Sequence, residues 1–146
     1  MNVHETGLAI AQKKHGELWK RGSDVSTQTK SAIAVCRAWQ EAVRAEFPDR
    51  FIEECVVGTG CNEKIDLVDR REFIAYELKV SPNNTHFEFY RDVFKVWVQR
   101  ELGHEPLKKL VFITPKAGAD RLRKQLGQEV IQLAAKHGLV VEIAAI

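Results

Sequence analysis

The stretch KIDLVDRREFIAYELKVS, residues 64–81, joins two runs rich in β-branched and aromatic residues, 64–68 and 72–81, through the polar triplet Asp69-Arg70-Arg71. Two such runs around a short polar turn predict an antiparallel hairpin. With residues 69–72 as the turn, Val68 is expected opposite Phe73 and Asp66 opposite Ala75. Residues two apart on a strand point the same way, so Asp66, Ala75, Glu77 and Lys79 are expected on one face. The diagonal neighbours Asp66 and Glu77 would then lie about 7–8 Å apart at the backbone. Charges on a strand that otherwise favours burial are costly without partners. A divalent cation between the two carboxylates would turn their repulsion into ligation and leave Lys79 to handle a water or phosphate oxygen.

The surrounding elements fit a sheet covered by helices. Leu8, Ala11, His15, Leu18 and Trp19 recur at near-helical spacing and predict a helix over about 5–20, closed by Arg21-Gly22. A second helix is expected from Ser23 or Ser26 to Phe47, with Ala32, Val35, Cys36, Trp39, Val43 and Phe47 on one face and Pro48 as its stop. The run 51–58 predicts a strand before the hairpin. Thr85-x-x-Glu88 reads as a capping box opening a helix to Leu102, its core face formed by Phe87, Tyr90, Phe94, Trp97 and Val98, with Phe89 and Val96 on the other side, where Phe89 would cover the first helix or meet a second copy. A strand over 109–115, a helix over 119–136 closed by Gly138 and a strand over 139–146 complete the chain. The expected fold class is α/β, a mixed sheet with a three-strand meander and helices on both faces. Residues 1–146 are read as one domain, with 1–24 as an N-terminal helical extension.

The motif of Asp66, ten residues, then Glu77-Leu78-Lys79, set in this element order, resembles the restriction-endonuclease-like, or PD-(D/E)XK, nuclease superfamily. The resemblance in element order covers about residues 25–115, and Ile65 stands where the motif's proline would be. It implies a restriction-endonuclease-like fold and a Mg²⁺- or Mn²⁺-dependent endonuclease acting on DNA. Asp66, Glu77 and the backbone carbonyl of Leu78 would bind the metal, and Lys79 would orient or activate the attacking water. Members of the family often add a glutamate from the N-terminal helix: Glu46 is favoured by face and Glu41 by solvation, with Glu53 and above all Glu54 on the first strand as rivals. The helix after the ELK strand would flank the cleft, which makes Asn84, His86, Tyr90, Arg91 and Lys95 candidates for nucleic-acid contact, the first two helped by free amides at a helix start. Arg121, Arg123 and Lys124 are further candidates for the DNA backbone.

Composition narrows the classes. The chain has 146 residues, 45% hydrophobic and 29% charged, which suits one domain with a real core. Its net charge of +2 hides an acidic middle between two basic ends. No apolar stretch is long enough to span a bilayer and no secretory leader is recognisable, so a cytoplasmic location is expected, with Cys36, Cys55 and Cys61 reduced and mostly buried. Neither a Cys-x-x-Cys pair nor a Gly-rich phosphate loop is present, which disfavours a thiol enzyme built on Cys55 or Cys61. Trp19, Trp39 and Trp97 occupy core positions. With little chain to spare for a sequence-reading domain, a homodimer or a protein partner is expected to supply specificity. The rival expectation is a nuclease-like fold without turnover that binds nucleic acid or a partner protein.

Overall fold

The computed structural model describes residues 1–20, 24–103 and 106–146. Its elements run α1 (Val3–Leu18), α2 (Val25–Glu46), β1 (Phe51–Val56), β2 (Lys64–Asp69), β3 (Ile74–Leu78), α3 (Thr85–Leu102), β4 (Lys109–Thr114), α4 (Lys116–Lys136) and β5 (Val140–Ala145). The expected closure of α1 at Arg21-Gly22 and a start of α2 at Ser23 lie outside the described residues. Asp24 caps α2, its carboxylate accepting from the Thr27 N–H at 2.9 Å.

The five strands form one open sheet in the order β1-β2-β3-β4-β5, a meander of three antiparallel strands continued by two parallel ones. Parallel neighbours need crossovers, and α3 and α4 supply them. The two crossovers step in the same direction, which places both helices on one face when their handedness is the same. There Phe89 and Val96 of α3 and Leu122, Leu126 and Ala134 of α4 pack with Ile65, Val68, Ala75 and Phe112. On the other face Ala11 of α1 and Val35, Trp39 and Val43 of α2 pack against Phe51, Leu67, Tyr76 and Ile113. The segment expected as an extension is thus part of the core layer, and the Trp39 indole donates to the Gly7 carbonyl at 3.2 Å. Among the described residues no helix is long and apolar enough to cross a membrane.

The hairpin departs from the expected register by two residues. Val68 pairs with Ala75 and Leu67 with Tyr76, not Val68 with Phe73. The reason lies in the turn: Asp69 stays in the strand and its carboxylate accepts from the N–H groups of Arg71 (2.9 Å) and Glu72 (3.3 Å), while Phe73 takes a left-handed φ of 57°. The turn therefore occupies residues 70–73. A shift of two preserves which residues share a face.

The orientation of α3 is the second correction. Phe89 and Val96 are fully buried, whereas Phe87, Tyr90 and Phe94 are exposed by half or more, so the helix is rotated from the aromatic face expected of it. The expected capping box is absent too: Asn84, in the left-handed region, is the cap residue without a side-chain bond, and Glu88 faces Lys79 instead.

Candidate functional site

At Asp66 the sheet opens. The β2–β3 pairing ends at Leu67/Tyr76, and on the other side the β1–β2 pairing skips Glu54/Asp66 although 53/67 and 55/65 are paired. Glu54 lies in the left-handed region at φ 48°, a conformation that costs a non-glycine residue about 1–3 kcal/mol. Both strands turn over at this point. Ile65 packs on the α3/α4 side and Leu67 on the α1/α2 side, as Cys55 and Phe51 do on β1.

Side chains replace the interrupted ladder. The Asp66 carboxylate accepts from the Leu78 N–H at 2.9 Å, and the Asp66 carbonyl accepts from the Gln40 side chain of α2 at 2.9 Å. Gln40 also donates to Glu54 Oε1 at 3.0 Å, tying the strained residue to the same point. In an extended strand the N–H and C=O of one residue leave on the same edge, so the Leu78 carbonyl faces the gap beside Asp66.

Glu77 follows on β3, directly across from Asp66 when the register is continued by one residue, and both carboxyl groups line the same cleft, near enough for the Asp66 charge to act on Glu77. The expected diagonal relation is thereby corrected to a face-to-face one. Glu77 lies on the α3 side, where Lys95 meets Glu77 Oε1 at 2.6 Å and Asp92 Oδ1 at 2.9 Å, and donates to the Lys64 carbonyl at 2.8 Å. Lys79, two residues on, shares the face of Glu77 and sits 3.7 Å from Glu88 of α3. These groups line an open cleft of about 540 Å³ between α2 and α3, with Glu54, Glu63 and Arg91 at its walls.

The electrostatics follow from burial and from an excess of negative charge. Burial, then repulsion from Asp66 and Asp92, pushes the Glu77 carboxyl well above its ordinary range. Burial also raises Asp66 and lifts Asp92 to about 6. Lys95 is held upward, since its burial is outweighed by Glu77 and Asp92. Cys36, whose thiol lies 3.6 Å from Asp66 Oδ2, is pushed far up by burial and by that carboxylate, which leaves it a protonated, unreactive thiol. Burial raises the Cys55 thiol as well.

The remaining candidates separate clearly. Glu54 reaches the cleft; Glu46 is exposed at the end of α2, away from it; Glu41 borders a neighbouring groove on α2; and Glu53 pairs with Arg44. Arg91 stands at the cleft rim, its guanidinium on both Glu63 oxygens at 3.0 Å. Asn84 is exposed, and His86 packs its ring 4.1 Å from that of Phe87, outside the cleft lining. Lys95 is only 7% exposed and fully engaged, so its ammonium faces the carboxylates rather than a nucleic acid. Arg121 donates to the Pro82 carbonyl and Arg123 to that of Ile143, both from the N-terminal half of α4. Asp92 and Gln40 are the site residues that sequence reasoning missed. Both lie on helix faces that also carry core residues; Gln40 bonds to residues of β1 and β2, and Asp92 pairs with Lys95 of its own helix, which reaches on to Glu77 of β3.

The donor set fits one hard divalent cation: two carboxylates and a carbonyl, all oxygen, beside an open cleft. Among the described residues no three His, Cys, Asp or Glu side chains gather tightly enough to hold a metal by themselves. A Mg²⁺-like ion requires no more than one or two carboxylates, with water and phosphate oxygens completing its shell. Comparison with known proteins adds no relative: no family model, curated protein or solved structure matches the chain.

Proposed function

We propose that this protein is a divalent-metal-dependent endonuclease of the restriction-endonuclease-like fold that hydrolyses phosphodiester bonds in DNA. The observation that carries the reading is the convergence of Asp66 and Glu77 where the β2–β3 ladder ends, with Lys79 on the same face as Glu77. Asp66, Glu77 and the Leu78 carbonyl would hold Mg²⁺ or Mn²⁺, which supplies Lewis acidity toward the scissile phosphate and a lowered pKa for a bound water. Lys79 would hold the attacking water by a hydrogen bond and offset the negative charge that grows in the transition state. Glu88 restrains the Lys79 ammonium at the cleft wall. Gln40 donates to the Asp66 carbonyl, giving it a side-chain partner where the ladder is interrupted.

A second reading, a nuclease-like fold that binds nucleic acid or a partner protein without turnover, draws on the engagement of Glu77 by Lys95. Incubating supercoiled plasmid, branched and single-stranded DNA with Mg²⁺, Mn²⁺ or EDTA separates the two. The expected result is cutting that needs the metal and falls about 10²–10³-fold in Lys79→Ala, the scale for removing one transition-state donor. Cutting that is absent, or equal in the variant, favours the second reading.

A further inference from the structure

Lys95 has the surroundings of a metal ion rather than those of a surface lysine. Its ammonium lies 2.6 Å from Glu77 Oε1, 2.9 Å from Asp92 Oδ1 and 2.8 Å from the Lys64 carbonyl oxygen. The Lys95, Glu77 and Asp92 side chains are each more than nine-tenths buried. Three oxygens from three elements around one cation is a donor set that a hard divalent ion would also accept.

In this cluster three carboxyl groups, Asp66, Glu77 and Asp92, share one buried ammonium, so acidic groups outnumber their counter-charge. Resting on the metal reading above, we infer that Lys95 is a tethered substitute for a second cation and fixes this as a one-metal site. Glu77 is then the bridge: one side of its carboxylate is committed to the ammonium, the other turns toward Asp66. Sites that use two ions in phosphoryl transfer place them about 3.5–4 Å apart around a shared carboxylate. Here the ammonium holds the second of those positions, on the Asp92 side of Glu77.

Mn²⁺ titration of the full chain, followed by the paramagnetic resonance signal of free ion, reads the stoichiometry without any need for activity. The wild type should bind one Mn²⁺ per chain. Lys95→Met keeps the buried stem, removes the ammonium and should bind two, and Asp92→Asn added to it should return the count to one. A folded Lys95→Met variant that still binds one ion overturns the inference. Should that variant not fold, anomalous scattering from Mn²⁺-soaked wild-type crystals decides: one peak beside Asp66, with the ammonium still on Asp92, supports it, and an ion between Glu77 and Asp92 overturns it. Two ions in the wild type would sink this inference and leave the metal reading standing, whereas no ion at all would sink both.

Discussion

The two ends of β2 each set an aspartate against the sheet, Asp69 buried and Asp66 half-buried, and they treat it in opposite ways. At the hairpin end Asp69 is 1% exposed, and every demand of its carboxylate is met: Arg50 binds both oxygens at 2.7–3.1 Å, and two turn amides donate to Oδ1. At the other end Asp66 shares its surroundings with Glu77 and Asp92, and the single buried ammonium serves the latter two. The first arrangement is charge-balanced and closes the sheet. The second carries excess negative charge at a point where the ladder is interrupted, and the proposed metal site rests on that imbalance.

Removing the satisfied carboxylate gives the largest stability effect. Asp69→Ala leaves Arg50 without its partner and two turn amides unpaired, so a loss of about 3–5 kcal/mol is expected in urea unfolding. If the variant were as stable as the wild type, the hairpin end would not be the structural one.

Next in size is the response to metal and pH. Asp66, Glu77 and Asp92 bind protons more tightly in the native chain than in the unfolded one, Asp92 at about 6. The stability this confers is complete below the ordinary carboxylate pKa of about 4, and it is lost as pH rises through about 6 for Asp92, with the raised Glu77 carboxyl acting in the same direction. The metal-free protein should therefore melt at lower temperature at pH 8 than at pH 5. Mn²⁺ at about 100 times its Kd should restore about 2.7 kcal/mol at pH 8. A melting temperature that rises with pH in EDTA would contradict the excess of negative charge.

The smallest effect has the opposite sign to the first. Asp66→Asn keeps an acceptor for the Leu78 N–H and removes one of the crowded charges, so the metal-free variant should gain on the order of 1 kcal/mol at neutral pH while losing Mn²⁺ affinity. Calorimetry with and without Mn²⁺ tests both halves. A destabilised Asn variant would make Asp66 a structural residue like Asp69.

Much of this was legible along the chain because it depends on local periodicity. Alternation along 72–81 puts Glu77 and Lys79 on one face whatever the register of the hairpin, whereas the turnover of β2 at Asp66 breaks the alternation expected of 64–68. The order of elements followed from β-branched runs, turn residues and the stop at Pro48. The rotation of α3 was not legible: Phe87-Tyr90-Phe94 and Phe89-Asp92-Val96 repeat at equally helical spacing, and greater hydrophobicity favoured the wrong stripe. Burying the second stripe buries Lys95 with Asp92, and the further carboxylate that meets Lys95 there, Glu77, stands on another element.

The sequence by itself determined the type of each element and the pairing of acid and base on one strand face, because side-chain direction in a strand is fixed by the backbone. Tertiary structure decided the rest. Where the ladder opens depends on Gln40 and Glu54; which helix face turns inward depends on whether a buried charge finds its counter-charge; and whether two acids meet depends on how a turn closes at Asp69. Each of these is a contact between residues distant in sequence, and its energy exists only once the chain has brought them together.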